Sequence, residues 1–158
     1  MHLLQWKMGS AIGPLYLVAS SQGLVGVYFK KQSAPLIPSL QGTDPAVKIL
    51  KQTTQELGEY FLGKRKMFEV PLELNGTSFQ KKAWKQLSKI PYGKTFSYKD
   101  IAAKIKNKNA FRAVGTANGK NPLCIIIPCH RVIAANGTLG GYSGGITIKK
   151  KLLALENN

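Results

Sequence analysis

The sequence is poor in the residues that build cross-linked or metal-stabilised domains. It contains two cysteines and two histidines among 158 residues, too few for a disulfide framework or for the ligand spacing of a zinc finger. No apolar run approaches the roughly 18–20 residues of a membrane span, and the first residues lack a signal-peptide pattern. We therefore expect no metal, no cofactor, no membrane contact and a cytoplasmic location.

Acidic residues are also scarce. Seven Asp and Glu stand against 23 Lys and Arg, a formal net charge of +16. Residues 76–158 contain fifteen basic and two acidic residues, whereas residues 1–75 contain eight and five. A strongly positive surface attracts polyanions, so the second half is the candidate for binding nucleic acid. A proteome with generally basic surfaces is the alternative explanation of the charge.

Strand and helix patterns predict an α+β chain of two domains. Three short strand-like segments, residues 3–8, 15–19 and 24–29, are separated by turn residues and predict an antiparallel meander. Asp44-Pro45 predicts the start of a helix that continues to Gly63, and residues 68–74 predict a further strand. Asn75-Gly76 marks a boundary, so the expected domains are residues 1–75 and 76–158.

The pattern of the second half of the sequence predicts a mostly helical, winged-helix-like domain. Thr77 is a predicted N-cap for a helix that buries Trp84, and Ser97 caps a short helix that ends near Ile105. A second short helix, residues 110–118, completes a helix-turn-helix pattern, and Arg112 near its start is placed to reach DNA. Many helical hairpins of this shape bind no nucleic acid, so the pattern alone leaves both interpretations open.

The C-terminal fifth of the chain adds a turn, a loop and a helix. Asn136-Gly137 predicts a hairpin turn, and a glycine-rich loop follows at residues 140–145. That loop lacks the sequence of a phosphate-binding loop and suits close approach to a flat ligand. Residues 147–155 predict a final helix. Its first turns contain three lysines, residues 149–151, which is unfavourable for the helix dipole and predicts an external anion.

Residues 125–132 place a thiol beside an imidazole. The apolar run before Pro128 predicts a buried strand that delivers Cys129 at its end. Extended geometry would hold Cys124 about 16 Å from Cys129, beyond the roughly 7 Å limit for a disulfide, so we expect none. Because Cys124 lies inside the apolar run, we interpret it as inert core. Extended geometry also points His130 away from Cys129, so a bridging water is the expected link between them.

A nucleophilic cysteine requires a base, and the base benefits from a carboxylate that orients it. Cys129, His130 and Glu156 supply the three residue types, provided that the final helix brings Glu156 to His130. The alternative is a buried cysteine beside a histidine whose hydrogen bonds are satisfied by backbone.

Several motifs resemble those of the O6-alkylguanine-DNA alkyltransferase family. The similarity extends nearly continuously from Gly58 to Glu156, whereas the first fifty residues resemble the family in architecture only. The motifs that carry it are Tyr60-Phe61-Leu62-Gly63, Ile90-Pro91-Tyr92-Gly93, Arg112-Ala113-Val114-Gly115, Asn121-Pro122, Pro128-Cys129-His130-Arg131-Val132 and Tyr142-Ser143-Gly144-Gly145.

The resemblance implies a single-use repair protein with a ribonuclease H-like first domain. It would act as a monomer on double-stranded DNA, bind through the minor groove, flip an O6-alkylated guanine out of the duplex and transfer the alkyl group irreversibly to Cys129. Alkylated thymine is a further possible substrate. His130 would deprotonate Cys129 through a water, Glu156 would orient His130, and Tyr98 would help to protonate the departing guanine.

The remaining residue roles are also implied by the resemblance. Arg112 would replace the flipped base in the stack, and Asn121 would brace two motifs. The other residues assigned to substrate or DNA contact are Val132, Tyr142, Ser143, Arg131 and Gly144. Related lesion-binding proteins without transfer activity have tryptophan at the position of Cys129, so this cysteine favours catalysis. A non-catalytic lesion binder and a helix-turn-helix regulator are the alternatives.

Overall fold

The computed structural model describes residues 2–158, which separate into two compact units between Leu74 and Asn75. The first unit has three strands and one helix, and the second is mainly helical. This is the α+β class that the sequence predicted. No helix in the described part of the chain combines the length and the apolar character needed to cross a membrane.

The first unit is an antiparallel meander covered by one helix. Strands β1 (Leu4–Met8), β2 (Leu15–Ala19) and β3 (Leu24–Tyr28) are ordered β1-β2-β3, as predicted. Helix α1 (Pro45–Phe61) begins where predicted, because the Asp44 carboxylate accepts a hydrogen bond from the Ala46 amide at 2.9 Å. The helix buries one apolar face, which includes Leu50, Leu57 and Tyr60.

The strand predicted for residues 68–74 does not form. Leu24 alone pairs with this segment: its amide donates to the Pro71 carbonyl at 2.8 Å, and its carbonyl accepts from the Glu73 amide at 2.9 Å. Pro71 has no N–H with which to extend a ladder. The segment also crosses so close to Gly23 that a Cβ there would lie 2.8 Å from the Glu73 nitrogen.

The second unit begins with three helices. Helices α2 (Ser78–Leu87) and α3 (Tyr98–Lys104) start at the predicted Thr77 and Ser97 caps, and each has a complete capping box. Helix α4 (Phe111–Gly119) follows a reversal in which Lys106 has a φ of 60°. The buried Trp84 donates its indole N–H to the Ala117 carbonyl at 2.9 Å and ties α2 to α4. Helices α3 and α4 form the predicted helix-turn-helix.

The strand predicted for the apolar run before Pro128 does not form. The chain reverses at Ile125, whose φ is 75°, and the Ile127 amide donates back to the Leu123 carbonyl at 2.9 Å. Residues Cys129–Arg131 form a short 3-10 helix. Only β5 (Val132–Ile133) is extended, and it pairs in parallel with β4 (Phe96–Ser97). The apolar run is buried in the core of the unit and does not join a larger sheet.

The remaining predictions for this unit are met in part. Asn136-Gly137 makes a turn in which Gly137 has a φ of 87°, but no second strand follows, so the predicted hairpin is incomplete. Helix α5 (Ile146–Glu156) is one residue longer at each end than predicted. It ends with Glu156 buried beside the 3-10 helix.

Candidate active site

Cys129 lies at the wall of a small cavity. It is the first residue of the 3-10 helix, and only 2% of its surface is exposed. The cavity has a volume of about 230 Å³, below the roughly 300–1,000 Å³ of sites for drug-sized ligands. Its walls come from α3, α4, the 3-10 helix and the glycine-rich loop: Tyr98, Gly115, Asn118, Gly119, Cys129, Gly141, Tyr142 and Ser143. The volume is suited to a group smaller than a drug-sized ligand.

His130 and Glu156 form a buried pair next to Cys129. The His130 Nε2 atom lies 2.6 Å from Glu156 Oε2, and both side chains are fully buried. With Glu156 ionised, Nε2 is the protonated nitrogen and donates this bond. The His130 Nδ1 atom has no hydrogen-bond partner among the described residues. Nδ1 is therefore the atom able to accept a proton.

Burial is the main cause of the lowered pKa of His130, and it outweighs the opposing effect of Glu156. A histidine of this kind is neutral at neutral pH. The pKa of the Cys129 thiol is raised well above its ordinary value, first by a hydrogen bond with Cys124 and then by burial. Cys129 thus requires a base to become a thiolate, and a neutral imidazole on the next residue is a suitable one.

Arg131 completes this buried group instead of facing solvent. Its Nε donates to Glu156 Oε1 at 2.7 Å, one terminal nitrogen donates to Glu156 Oε2 at 3.0 Å, and the other donates to the Ile90 carbonyl at 2.8 Å. Since all three nitrogens are engaged and the residue is buried, this placement argues against the predicted contact between Arg131 and DNA. Arg131 holds the carboxylate that orients His130.

Cys124 is part of the site, contrary to the prediction of inert core. Because the chain reverses at Ile125, the Cys124 sulfur lies 3.2 Å from the hydroxyl of Ser143, which lines the same cavity as Cys129. Hydrogen bonding with Cys129 first, and then with Ser143 and Tyr142, lowers the pKa of Cys124 to about 7. Both cysteines are free. The distance argument failed because it assumed an extended chain.

Two asparagines shape the segment that presents Cys129. Asn121 donates from Nδ2 to the Ile127 carbonyl at 2.8 Å and accepts from the Leu123 amide at 2.9 Å. These two hydrogen bonds span the reversal at Ile125. Asn118 lines the cavity and donates to the Cys129 carbonyl at 3.4 Å. No local pattern identified Asn118 as a site residue, because a polar residue near a helix end is ordinarily a cap.

At the start of α5, where the sequence predicted an external anion, Lys149 turns into the protein. Its side chain is fully buried, and Nζ donates to the carbonyls of Val132 at 2.7 Å and Gly141 at 3.3 Å and to that of Leu139. Burial lowers its pKa, and the Cys129 thiol opposes that effect. Three carbonyls take the place of the expected external anion. Lys149 thereby fastens the glycine-rich loop to the strand that follows Cys129.

The other predicted contact residues occupy two environments. Tyr98, Tyr142 and Ser143 line the cavity, and burial, followed by the charge of Cys129, raises the pKa of Tyr98. Gly144 is half-buried in the same loop as Tyr142 and Ser143. Val132 is fully buried, so only its backbone is available for contact.

Arg112 stands apart from the cavity walls. It is exposed near the start of α4, and its guanidinium lies 6.0 Å from the centre of the Phe111 ring. Lys99 on α3 lies over the same ring at 5.6 Å. The two helices therefore present an exposed aromatic ring flanked by two cations, a surface suited to a nucleic acid backbone and its bases.

Comparison with known proteins divides the chain in the same way. Residues 4–74 match the ribonuclease-like domain of 6-O-methylguanine DNA methyltransferase, and residues 78–158 match its DNA binding domain. The methylated-DNA–protein-cysteine methyltransferase of Methanosarcina barkeri is 44% identical over 94% of each chain. Its namesake from Mycobacterium tuberculosis is 45% identical over 94% of this chain and 89% of the relative. The chain belongs to the O6-alkylguanine-DNA alkyltransferase family.

The fold agrees with this membership. A crystal structure of Mycobacterium tuberculosis OGT in complex with DNA is similar to this chain with a TM-score of 0.85 and 42% identity, covering 98% of this chain and 92% of that one. The similarity includes the first fifty residues, which the sequence alone assigned only by architecture. The expected alkyltransferase fold, with a ribonuclease-like unit before a helix-turn-helix unit, is confirmed.

Proposed function

We propose that this protein repairs DNA by moving the alkyl group of an O6-alkylguanine onto its own Cys129. The observation that carries the proposal is the buried series Cys129, His130 and Glu156, in which a 2.6 Å hydrogen bond leaves His130 Nδ1 as the basic nitrogen. Family membership and the names of the relatives support the same activity.

The first step is proton removal from Cys129. His130 accepts the proton at Nδ1 through a water, and Glu156 stabilises the imidazolium through Nε2, in the manner of a general base oriented by a carboxylate. No direct hydrogen bond joins the Cys129 thiol to His130 among the described residues, so the water-mediated route is part of the proposal. Arg131 keeps Glu156 in position by two hydrogen bonds.

The second step is displacement at the alkyl carbon. The Cys129 thiolate forms a C–S bond as the bond between the alkyl carbon and guanine O6 breaks, and the electron pair remains on the base. Tyr98, whose pKa is raised by burial, stays protonated and can donate a proton to the departing guanine. A thioether is a poor leaving group, so nothing regenerates the thiol and each molecule reacts once.

Substrate binding follows from the two environments of the site. The exposed Arg112 enters the duplex through the minor groove and takes the place of the flipped base, while the cavity receives that base. Tyr142 forms one wall of the cavity, and Ser143 contacts the alkylated oxygen. The backbone near Val132 and Gly144 contacts the edge of the base. We place the protein on double-stranded DNA as a monomer in the cytoplasm.

The test is intact-mass spectrometry after incubation with a duplex that contains one O6-methylguanine. The expected product is protein that has gained one methyl group, located on Cys129 by peptide mapping. A Cys129→Ser variant is the control and should bind the duplex without gaining mass. Wild-type protein that binds the lesion and remains unmodified would support a non-catalytic lesion binder instead.

A further inference from the structure

The two cysteines of this chain are neighbours in space. Four residues separate them in sequence, but the reversal at Ile125 and the hydrogen bond from the Cys129 amide to the Ile127 carbonyl at 2.7 Å fold the chain back between them. The Cys124 sulfur lies 3.2 Å from the Ser143 hydroxyl, and Ser143 lines the same cavity as Cys129, so the two buried thiols lie on the same side of the reversal. The alkyl-transfer mechanism uses only one of them.

Cys124 is the more acidic thiol of the pair. The hydrogen bond from Cys129 and the contact with the Ser143 hydroxyl at 3.2 Å lower its pKa to about 7. A thiol with this pKa is about half thiolate at pH 7, a larger share than that of an ordinary cysteine, and thiolates are the form that peroxides oxidise. Ser143 and Cys129 both line the cavity, which gives a small oxidant a route to the pair.

We propose that Cys124 is an oxidation site and that it forms a reversible disulfide with Cys129 when the protein meets a peroxide. Cys124 attacks one oxygen of hydrogen peroxide, the O–O bond breaks, and the products are a Cys124 sulfenic acid and water. The Cys129 thiol then attacks the sulfenic sulfur and forms the S–S bond, and the hydroxyl leaves as a second water. Two thiols lose two electrons and two protons in total, and one peroxide becomes two waters.

The disulfide has a consequence for a protein whose acceptor thiol works once. Cys129 in a disulfide cannot accept an alkyl group, and it also cannot be oxidised to sulfinic or sulfonic acid, which are irreversible products for an ordinary cysteine. A reducing thiol restores both cysteines by exchange. With Cys124 present, oxidation of the acceptor thiol is therefore reversible, and alkyl transfer resumes after reduction.

The test compares wild type with Cys124→Ala and Cys124→Ser after peroxide treatment and removal of the peroxide by catalase. Wild type should be lighter by two hydrogen atoms, should yield one peptide pair joined through Cys124 and Cys129, and should regain thiol titre after dithiothreitol. Without peroxide, both variants should still carry one methyl group on Cys129 after incubation to completion with the methylated duplex, whatever their transfer rates, because Cys129 is the acceptor. After peroxide they should show added oxygen on Cys129 that dithiothreitol does not remove.

Two results would overturn this proposal. One is oxidised wild type that is heavier by whole oxygen atoms with no loss of hydrogen, and the other is a disulfide that joins two chains. The effect of the disulfide on repair rests on the proposed function, whereas its formation does not. Because mass and thiol titre are read without DNA, a protein that forms the disulfide but transfers no methyl group would refute the proposed function and leave the oxidation site standing.

Discussion

Glu56 in the first unit and Glu156 in the second are both 4% exposed, but their partners differ. Glu56 accepts from the backbone amides of Glu69 and Val70 at 2.8 and 3.2 Å and from the Gln52 side chain at 2.8 Å. Glu156 receives hydrogen bonds from the side chains of His130 and Arg131. Glu56 therefore holds a loop in place, whereas Glu156 orients a titratable base.

Burial of a polar residue does not by itself identify a functional site. What distinguishes Glu156 is that its partners are the side chains of His130 and Arg131, and that His130 is the neighbour of Cys129 in the chain. The charge follows the same division, since the basic excess lies in the second half of the chain. A buried polar residue in the first unit should therefore affect stability alone, while its counterpart in the second should affect stability and alkyl transfer together.

The largest expected effect is that of Glu156→Gln compared with Glu56→Gln. A glutamine amide opposite His130 Nε2 favours the tautomer with the proton on Nδ1, which can no longer accept one. We expect the methyl-transfer rate to fall by about 10²–10⁴-fold, the range of an oriented general base. Quenched-flow transfer from a methylated duplex measures the rate.

Glu56→Gln is the matched control. Its amide oxygen can still accept from Glu69 and Val70, so we expect a loss of about 1–2 kcal/mol in the free energy of unfolding and an unchanged transfer rate for folded protein. Equal effects of the two variants on the transfer rate would show that Glu156 acts only through stability.

A second pair compares two buried side chains that fasten loops. Gln5 donates to the carbonyls of Gln32 and Ala34 at 3.0 and 2.7 Å, as Lys149 does to three carbonyls in the second unit. Replacement of either by methionine leaves buried carbonyls without donors, at about 1–3 kcal/mol in the free energy of unfolding. Urea denaturation measures this loss for each variant.

The two methionine variants should differ in alkyl transfer. Lys149→Met frees the loop that contains Gly141, Tyr142 and Ser143, so we expect the transfer rate of folded protein to fall by about ten- to a hundredfold, as misplacement near a reacting centre does. Gln5→Met should leave that rate unchanged. If both variants transfer at the wild-type rate, Lys149 does not position the cavity wall.

A third pair compares two arginines, and its expected effect is smaller. Arg65 in the first unit is paired with Glu59 at 2.9 Å, whereas Arg112 forms no ion pair with the residues that the structure describes. Arg112→Ala should slow repair of duplex DNA by about tenfold, because about 1.4 kcal/mol of support for the flipped state is lost. Arg65→Ala should not slow it.

A free O6-alkylguanine base provides the internal control for Arg112. It requires no flipping, so Arg112→Ala should react with it at the wild-type rate. Equal losses on the duplex and on the free base would argue that Arg112 has no role in base flipping.

The sequence predicted the elements with strong local signals. The caps at Asp44, Thr77 and Ser97 predicted three helix starts, because a side-chain oxygen satisfies the first free amides wherever the rest of the chain lies. The meander followed from short apolar runs between turn residues. Family motifs added the pairing of His130 with Glu156, which spacing alone did not establish.

The wrong structural predictions have one physical cause, because long-range contacts override the local sequence pattern. Ile125, Ile126 and Ile127 have the composition of a strand, but Asn121 holds them in a reversal. Periodicity cannot predict a positive φ at an isoleucine. From that error came the misplacement of Cys124, and the role of Lys149 was missed because its carbonyl partners come from distant loops.

The smallest expected effect is on the pH dependence of stability, and it compares the two histidines. His130 has a lowered pKa in the folded state, whereas an unfolded histidine titrates near 6.5. Below about pH 6.5 the unfolded chain therefore binds a proton that the folded chain does not, and stability falls as pH falls. Between about pH 7 and pH 5 we therefore expect this group to lower the Tm.

Replacement of each histidine separates this effect from other acid titrations. His130→Gln keeps a donor toward Glu156 but cannot titrate, so its Tm should change less between these two pH values than that of wild type. His2→Asn, at a side chain that is 63% exposed, should retain the wild-type dependence. The alkyl-transfer rate should decline only at pH values below the ordinary histidine pKa, because the base must be neutral to accept the Cys129 proton. A transfer rate that already declines above that pKa would mean that His130 is protonated in the folded protein, and Glu156 would then act as the counter-ion of a cation.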